Sequence, residues 1–448
     1  MFRSIGFGVL ARLTSLGSNV IIIPLVISKL SSSDFSLWML LVSLYSLVTI
    51  FDFGFSATIS RYYSYAYSGV KYESFIRGEF SSAGDNATDK KLLANIDAVN
   101  NRIFTLLLIL SIGVMTGIYL YYTGFIEIEL TEAQNYSWLL FSIAIIFTLM
   151  SVRSNGILHG SGKVSKIYVN TIFSNIIFLF LSVSMIFFDL GIMALAISRL
   201  ISAISLLTFN IIDQKEIAKD FYHCRTSKVC PIIIREITRN ALKLGVGGLG
   251  NFLANRTTIY LLASYVVLNE IAGVSFVINI SLIILSSCLI ILNNNLPLII
   301  SFRAGEDYTA LKNQCVKVLF YSISSYSLTF SLFVLLAPSF LKVLDSDIVL
   351  PSLGVILLCF TIFLIELIQA ISVAYISTSN RLPFVKYQIF FGFTFVISCL
   401  LLNYFESANL ETILVAQLFS QCIYNAWKWP LVAWSDIKTK GGLIEIRS

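Results

Sequence analysis

Twelve apolar stretches, each near the length of a membrane-crossing helix, follow one another along this chain, and the loops between them alternate in charge. About twenty apolar residues carry a helix across a bilayer, and only helices or closed barrels satisfy their backbone groups there. The stretches are Ile5–Ser28, Leu37–Ser60, Ile103–Tyr122, Ser137–Ile157, Ile167–Phe188 and Leu190–Ile212, then Ala241–Val266, Ile271–Leu298, Val316–Leu341, Pro351–Ser377, Phe384–Tyr404 and Leu410–Ala433. Every second loop lacks basic residues except Lys29 and Lys342, and these loops hold Asp34, Glu127, Glu129, Glu132, Asp189, Glu270, Asp345, Asp347, Glu406 and Glu411. The opposite loops hold Lys90, Lys91, Lys163, Lys166, Lys215, Lys219, Arg225, Lys228, Arg235, Arg239, Arg303, Lys312, Lys317, Arg381, Lys386, Lys438 and Lys440. Basic loops stay on the cytoplasmic side, so the alternation predicts twelve crossings with both termini cytoplasmic. A wrong helix count would scramble the pattern. Trp38 and Trp138 at outer ends, with Trp427, Trp429 and Trp434 at the inner end of the last stretch, fit interfacial aromatic belts.

Composition agrees. Of 448 residues, 57% are hydrophobic and 12% charged, about half the charge of an ordinary soluble domain. The expected class is an all-α polytopic membrane protein, with the bilayer as its first partner. The net charge of +6 follows from the topology, basic loops lying under the membrane, and no nucleic-acid partner is expected. Seven scattered Cys make no disulfide framework, and Cys224, Cys230, His223 and the distant His159 are too few for a metal site. The stretch Met1–Leu30 carries Arg3 and no A-x-A pattern, so it reads as a retained first helix. There is no G-x-x-x-x-G-K-[ST], no H-E-x-x-H and no nucleophile elbow. Neither direct ATP use nor a catalytic set is expected, and no cofactor.

The polar segment Asp213–Asn240 divides the chain into an N-terminal six-helix lobe (1–212), a cytoplasmic linker (213–240) and a C-terminal six-helix lobe (241–448). Each half opens with a Gly-studded helix carrying an Arg, Arg12 in GFGVLARLTSLGSNVIIIP and Arg256 in LGVGGLGNFLANRTTIYLL. Six crossings per half make any repeat a parallel one. The segment Leu92–Arg102 is expected to be helical, and Asn293–Asn295 to end the eighth helix.

A charge inside the hydrocarbon costs about 3 kcal/mol, so it marks a wet interior or an ion pair. Five charges lie at such depth: Arg12, Asp52, Arg199, Arg256 and Glu366. Polar residues at helical spacing accompany them: Ser198, Ser202 and Ser205; Asn251 and Asn255; Glu366, Gln369 and Ser372; Gln417, Gln421 and Asn425. Such stripes belong on helices lining a cavity. Two readings stand for each charge. One is structural, as an Asp52–Arg12 ion pair or as snorkelling by Arg12 and Arg61; the other is contact with cargo. Arg199 and Arg256 are too deep to snorkel. Deep arginines without catalytic motifs describe a carrier with an anionic cargo.

Three segments carry a family resemblance: IIIPLVISKL with DFSLWMLLVSLYSL, FDFGFSATISRYYSYA, and ILHGSGKVSKIYVNTIFSN. Together they resemble the polysaccharide flippases of the multidrug/oligosaccharidyl-lipid/polysaccharide (MOP) exporter superfamily, the Wzx-type O-antigen flippases above all. The stretch from Asp52 to Arg61, DFG-x-x-x-x-x-x-R, is the most specific piece. The resemblance implies a MATE-like fold and alternating access, carrying an undecaprenyl-diphosphate-linked oligosaccharide from the cytoplasmic to the periplasmic leaflet through a cationic central cavity. It also implies a place in O-antigen and lipopolysaccharide biosynthesis, with the polysaccharide polymerase and chain-length proteins as further partners. By motif position, Arg12, Arg61 and Arg256 would hold the diphosphate, guanidinium suiting paired oxygen acceptors. Arg199 joins them on depth alone. Asn251, Asn255, Gln369, Gln417 and Gln421 would meet glycan hydroxyls, with Tyr260 stacking on a sugar. Asp52 and Glu366 are the candidates for H+ or Na+ coupling. Two rivals stand beside this reading: a MATE-like drug/cation antiporter, which would want a more acidic cavity, and a membrane-bound polysaccharide polymerase or acyltransferase, which would want an outer domain or an embedded His.

Overall fold

The structure is a computed structural model that describes residues 2–76, 88–126, 129–219, 230–255, 257–265, 268–304, 307–346, 348–377 and 384–438, with some helical side chains outside the description. All regular structure in it is helical. The chain divides into two compact units, Met1–Gly248 and Leu249–Ser448.

The first unit contains α1 (Phe2–Lys29), α2 (Ser32–Tyr45), α3 (Leu47–Phe51), α4 (Phe55–Tyr67), α5 (Tyr72–Ile76), α6 (Lys90–Leu120), α7 (Glu132–Gly160), α8 (Val164–Phe187) and α9 (Ile192–Ala218). A wider π turn, Tyr121–Phe125, extends α6. Helix α10 (Pro231–Asn255) carries the unit boundary, and α11 (Thr257–Tyr265), α12 (Leu268–Ala304), α13 (Tyr308–Val343), α14 (Leu353–Ser377), α15 (Val385–Tyr404), α16 (Leu410–Ile423) and α17 (Asn425–Lys438) follow.

Among the described residues, eight helices are long and apolar enough to cross a membrane: Lys90–Phe125, Glu132–Gly160, Val164–Phe187, Ile192–Ala218, Ile271–Leu296, Thr309–Val343, Leu353–Ser377 and Lys386–Tyr404. The expected second stretch is not one helix. It is interrupted at Ser46 and again at Asp52–Gly54, and the twelfth is interrupted at Tyr424. The seventh appears as α10 and α11, on either side of residue 256. Leu92–Arg102 is helical as expected, as part of α6. The expected stop at Asn293–Asn295 does not occur. Helix α12 runs on to Ala304 because the Asn295 amide donates to its own helix at Ile291 O (2.7 Å) and accepts from Gln314 of α13 (2.7 Å).

Side-chain caps start the helices where the loops are acidic or hydroxylated. Ser31 caps α2, and Thr131 and Gln134 form a reciprocal box on α7. The Gln134 amide also donates to Asp34 at 2.8 Å, tying α2 to α7. Asp89 caps α6 and accepts from the Tyr72 backbone N–H at 2.8 Å, seating α5 on the same carboxylate. The tight α8–α9 turn puts Asp189 (φ 57°) and Gly191 (φ 54°) in positive-φ backbone, where Asp is among the few side chains tolerated.

In the first unit α7 is central, packing on α4 and α9, while α8 packs on α1 and α9. Its buried face (Phe141, Ala144, Ile145, Leu149) meets Trp38 of α2, whose ring lies edge-on to Phe141 at 5.6 Å. The second unit is built on α12 and α14, with α13, α16 and α17 around them. Phe320, Leu328 and Leu335 project outward from α13, as a lipid-facing helix requires.

Candidate functional site

The DFG sequence builds a helix break. Phe53 (φ 45°) and Gly54 (φ 71°) turn the chain through positive-φ backbone between α3 and α4. The Asp52 carboxylate reaches over the turn and accepts from Ser56 N (2.9 Å) and Ser56 Oγ (2.8 Å), satisfying the exposed start of α4. The break is seated on α10: a Cβ at Gly245 would lie 2.6 Å from the Phe53 carbonyl oxygen. One turn earlier on α10, the Asn240 amide donates to the Tyr62 hydroxyl of α4 at 2.7 Å. Asp52, expected as an ion-coupling group, is therefore occupied as a cap. Arg61 lies exposed on α4.

Beyond the break, α4 rests on α7 through two glycines four residues apart. A Cβ at Gly156 would stand 3.1 Å from Ile59 Cγ2, and one at Gly160 would overlap Tyr63 Cβ. The ILHGSGK joint thus begins with a small-x-x-x-small contact. Gly162 (φ 77°) then turns the chain into α8. Past the joint, Lys166 pairs with Asp213 (2.7 Å) and Glu216 (2.6 Å) of α9, and Asn170 donates to Asp213 (2.8 Å) and Asn210 (2.9 Å). This polar clasp, which the hydropathy pattern does not reveal, holds the α8 and α9 ends together.

Arg199 is the deep cation of the first unit. Its guanidinium carbon stands 3.8 Å from the centroid of the Phe178 ring and 4.8 Å from that of Tyr45. Its Nε is buried without a hydrogen-bond partner, and among the described residues no carboxylate pairs with it. The Tyr45 hydroxyl shares a 2.9 Å hydrogen bond with Thr148 of α7. Aromatic faces offset part of the desolvation of a guanidinium by attraction to the ring quadrupole. The serines expected to line a cavity beside it do other work. Ser202 and Ser174 exchange hydrogen bonds across the α8–α9 contact (Oγ to Oγ 2.8 Å), and Ser198 donates to its own helix at Ala194 O (2.6 Å). The two ring partners were not distinguishable in a chain with 35 Phe and 21 Tyr.

In the second unit the amide stripe of α16 faces inward. Gln417 accepts from Thr258 of α11 at 2.9 Å. Gln421 is fully buried, and neither of its amide atoms has a hydrogen-bond partner among the described residues. Asn425, just past the Tyr424 interruption, accepts from Trp429 Nε1 at 2.9 Å. Gln369 and Ser372 of α14 are buried, and Glu366 of the same helix is half-buried. Of these groups, the Gln421 amide is the one left with hydrogen-bonding capacity at both its atoms. Arg256 lies outside the described residues, as do the side chains of Arg12, Asn251, Asn255 and Tyr260.

No protein-family model matches the sequence, and no curated protein does. Solved structures do. An inward-facing multidrug resistance MATE family transporter of the MOP superfamily aligns over 96% of this chain and 95% of its own at 14% identity, with a TM-score of 0.62. The chain has the MATE transporter fold. A MATE protein in its bent conformation aligns over 98% of this chain and 94% of its own, at 13% identity and a TM-score of 0.53. A MOP superfamily transporter from Pyrococcus furiosus, described as having a binding pocket of reverse polarity that suggests a different function, aligns over 96% of both chains at 14% identity and a TM-score of 0.50. The MATE fold accounts for a helical chain of this length in two units without a catalytic motif.

Proposed function

We propose that the protein is a membrane transporter of the MOP superfamily that flips an undecaprenyl-diphosphate-linked oligosaccharide from the cytoplasmic to the periplasmic leaflet of the bacterial inner membrane by alternating access. The observation that carries this reading is Arg199: a half-buried guanidinium in a MATE-fold unit, its Nε buried without a partner, stacked on two aromatic rings and matched by no carboxylate among the described residues. A carrier of organic cations has no use for such a group, whereas a diphosphate can supply its missing counter-charge. The Pyrococcus furiosus transporter, whose binding pocket of reverse polarity suggests a different function for that protein, is in keeping with this reading. The reading places the protein outside the enzymes, in O-antigen or related surface-polysaccharide synthesis beside a polymerase and chain-length proteins, with both termini cytoplasmic. Arg12, Arg61 and Arg256 keep their proposed part in holding the diphosphate.

The second reading, a drug/cation antiporter, has the multidrug resistance transporters of the same fold in its favour. Deletion of the gene separates the two. The flippase reading expects loss of surface glycan and accumulation of lipid-linked oligosaccharide on the cytoplasmic leaflet, with drug susceptibility unchanged; the reverse result selects the antiporter.

Coupling divides the two carboxylates. Asp52→Asn keeps an acceptor for the Ser56 N–H and is expected to transport like the parent, while Asp52→Ala loses the α4 cap and about 1 kcal/mol of stability. Glu366→Gln, by contrast, is expected to uncouple transport from the ion gradient. Loss of transport in Asp52→Asn at normal protein level would return Asp52 to the coupling role.

A further inference from the structure

At the basic end of the second unit, α12, α13, α14 and α17 line a narrow, half-open cleft of about 90 Å³. Its walls are aliphatic, with Leu292, Ile299, Ile371 and Ala433 among them. Both hydroxyls on it are spent: Ser372 donates to Ile368 O at 2.8 Å, and the Tyr375 hydroxyl donates to Asp436 at 2.7 Å. Such a wall holds a hydrocarbon chain and gives water nothing to bind.

The mouth is apolar and exposed. Val316 (42% exposed) and Trp434 (48%) form its lip, and the exposed Leu298 and Leu431 continue the apolar surface beyond it. All four helices end close by, at Ala304, Tyr308, Ser377 and Lys438, so the cleft lies within a few turns of the headgroup level.

A cation stands where a headgroup would be. Lys312, exposed on α13 one turn before Cys315 and Val316, holds its Nζ 5.7 Å from the centroid of the Trp434 ring and forms no ion pair among the described residues. Arg303, by contrast, is neutralised by Asp436 at 2.7 Å. An exposed apolar cleft, with one ammonium at its rim that forms no ion pair among the described residues, complements an amphiphile with a net negative head.

We infer that this cleft binds an anionic phospholipid, with one acyl chain between α12, α13, α14 and α17 and the phosphate beside Lys312. The inference is independent of the cargo carried, because its residues belong to one unit and its readout is lipid retention and not transport.

Native mass spectrometry of the full-length protein, released from detergent with equal amounts of phosphatidylglycerol and phosphatidylethanolamine of matched chains, tests it. The parent is expected to retain one phosphatidylglycerol at about fivefold excess, the preference one surface lysine supplies. Lys312→Gln is expected to bring the two lipids to parity, and Ala433→Trp, which fills the cleft, to abolish retention of either. Val316→Trp at the exposed lip serves the same purpose should Ala433→Trp fail to fold. An unchanged phosphatidylglycerol excess in Lys312→Gln overturns the proposal. So does full lipid retention in the filled variants. Displacement of phosphatidylglycerol by equimolar undecaprenyl phosphate would make the cleft a site for the cargo's tail and overturns it equally.

Discussion

Gly160→Ala is expected to destabilise the protein by about 3 kcal/mol, the upper part of the overpacking range, although it adds one methyl group to a helix. The added Cβ would overlap Tyr63 Cβ and lie 2.8 Å from Ser60 O. Tyr63 cannot swing aside: it is fully buried, and its hydroxyl donates to Asp97 of α6 at 3.3 Å. The only relief is separation of α4 from α7, which would also strain the Ser64 Oγ to Gly160 O hydrogen bond of 3.3 Å. Helix α6 supplies the control. Gly113 and Gly117 share the four-residue spacing, yet a Cβ at either meets nothing within 4 Å. Gly117→Ala is therefore expected to stabilise slightly, by about 0.5–1 kcal/mol of helix propensity. Thermal unfolding in detergent compares the two, and equal effects would show that α4 and α7 do not meet at these glycines.

The second large effect concerns Arg199. Arg199→Met should remove transport while leaving unfolding temperature unchanged or higher. Methionine keeps an apolar, flexible stem on the helix but ends short of the guanidinium position and removes a charge that the Phe178 and Tyr45 rings offset only in part, and replacing buried charged groups by apolar ones is often neutral or stabilising by about 1–4 kcal/mol. Arg199→Lys should also fail to transport, because an ammonium offers neither the planar stack nor paired donors. The measurement is surface glycan at matched protein level beside a melting curve. A destabilised Arg199→Met that still exports glycan would make Arg199 a structural residue, and the electropositive reading of the first unit would fall.

These residues show which parts of the molecule a sequence exposes. Apolar length and loop charge locate helical segments well, because bilayer thickness and the cost of burying charge act on each segment alone. The interruptions are harder. Asp52–Phe53–Gly54 carries a Gly and a capping Asp, but inside an apolar run the carboxylate reads equally as a buried functional charge; only its two hydrogen bonds to Ser56 decide. At Tyr424 no Gly or Pro marks the break between α16 and α17. The serine stripe of α9 illustrates the same ambiguity: its spacing is that of a cavity face, and Ser202 uses it to pair with Ser174. The depth of Arg199 was legible from its distance to the loops, but its rings come from α2 and α8, remote in sequence and chosen by tertiary packing. Gly156 and Gly160 had a visible signature in their spacing, and Gly113 and Gly117 show that spacing alone does not identify a contact.

The most direct test of the transporter reading uses purified protein in sealed proteoliposomes containing a fluorescent undecaprenyl-diphosphate oligosaccharide, with a membrane-impermeant glycosidase added outside. The account predicts that the protected half of the lipid becomes cleavable in vesicles with the parent protein and stays protected with Arg199→Met. Equal protection in parent and protein-free vesicles, under either a proton or a sodium gradient, would contradict it.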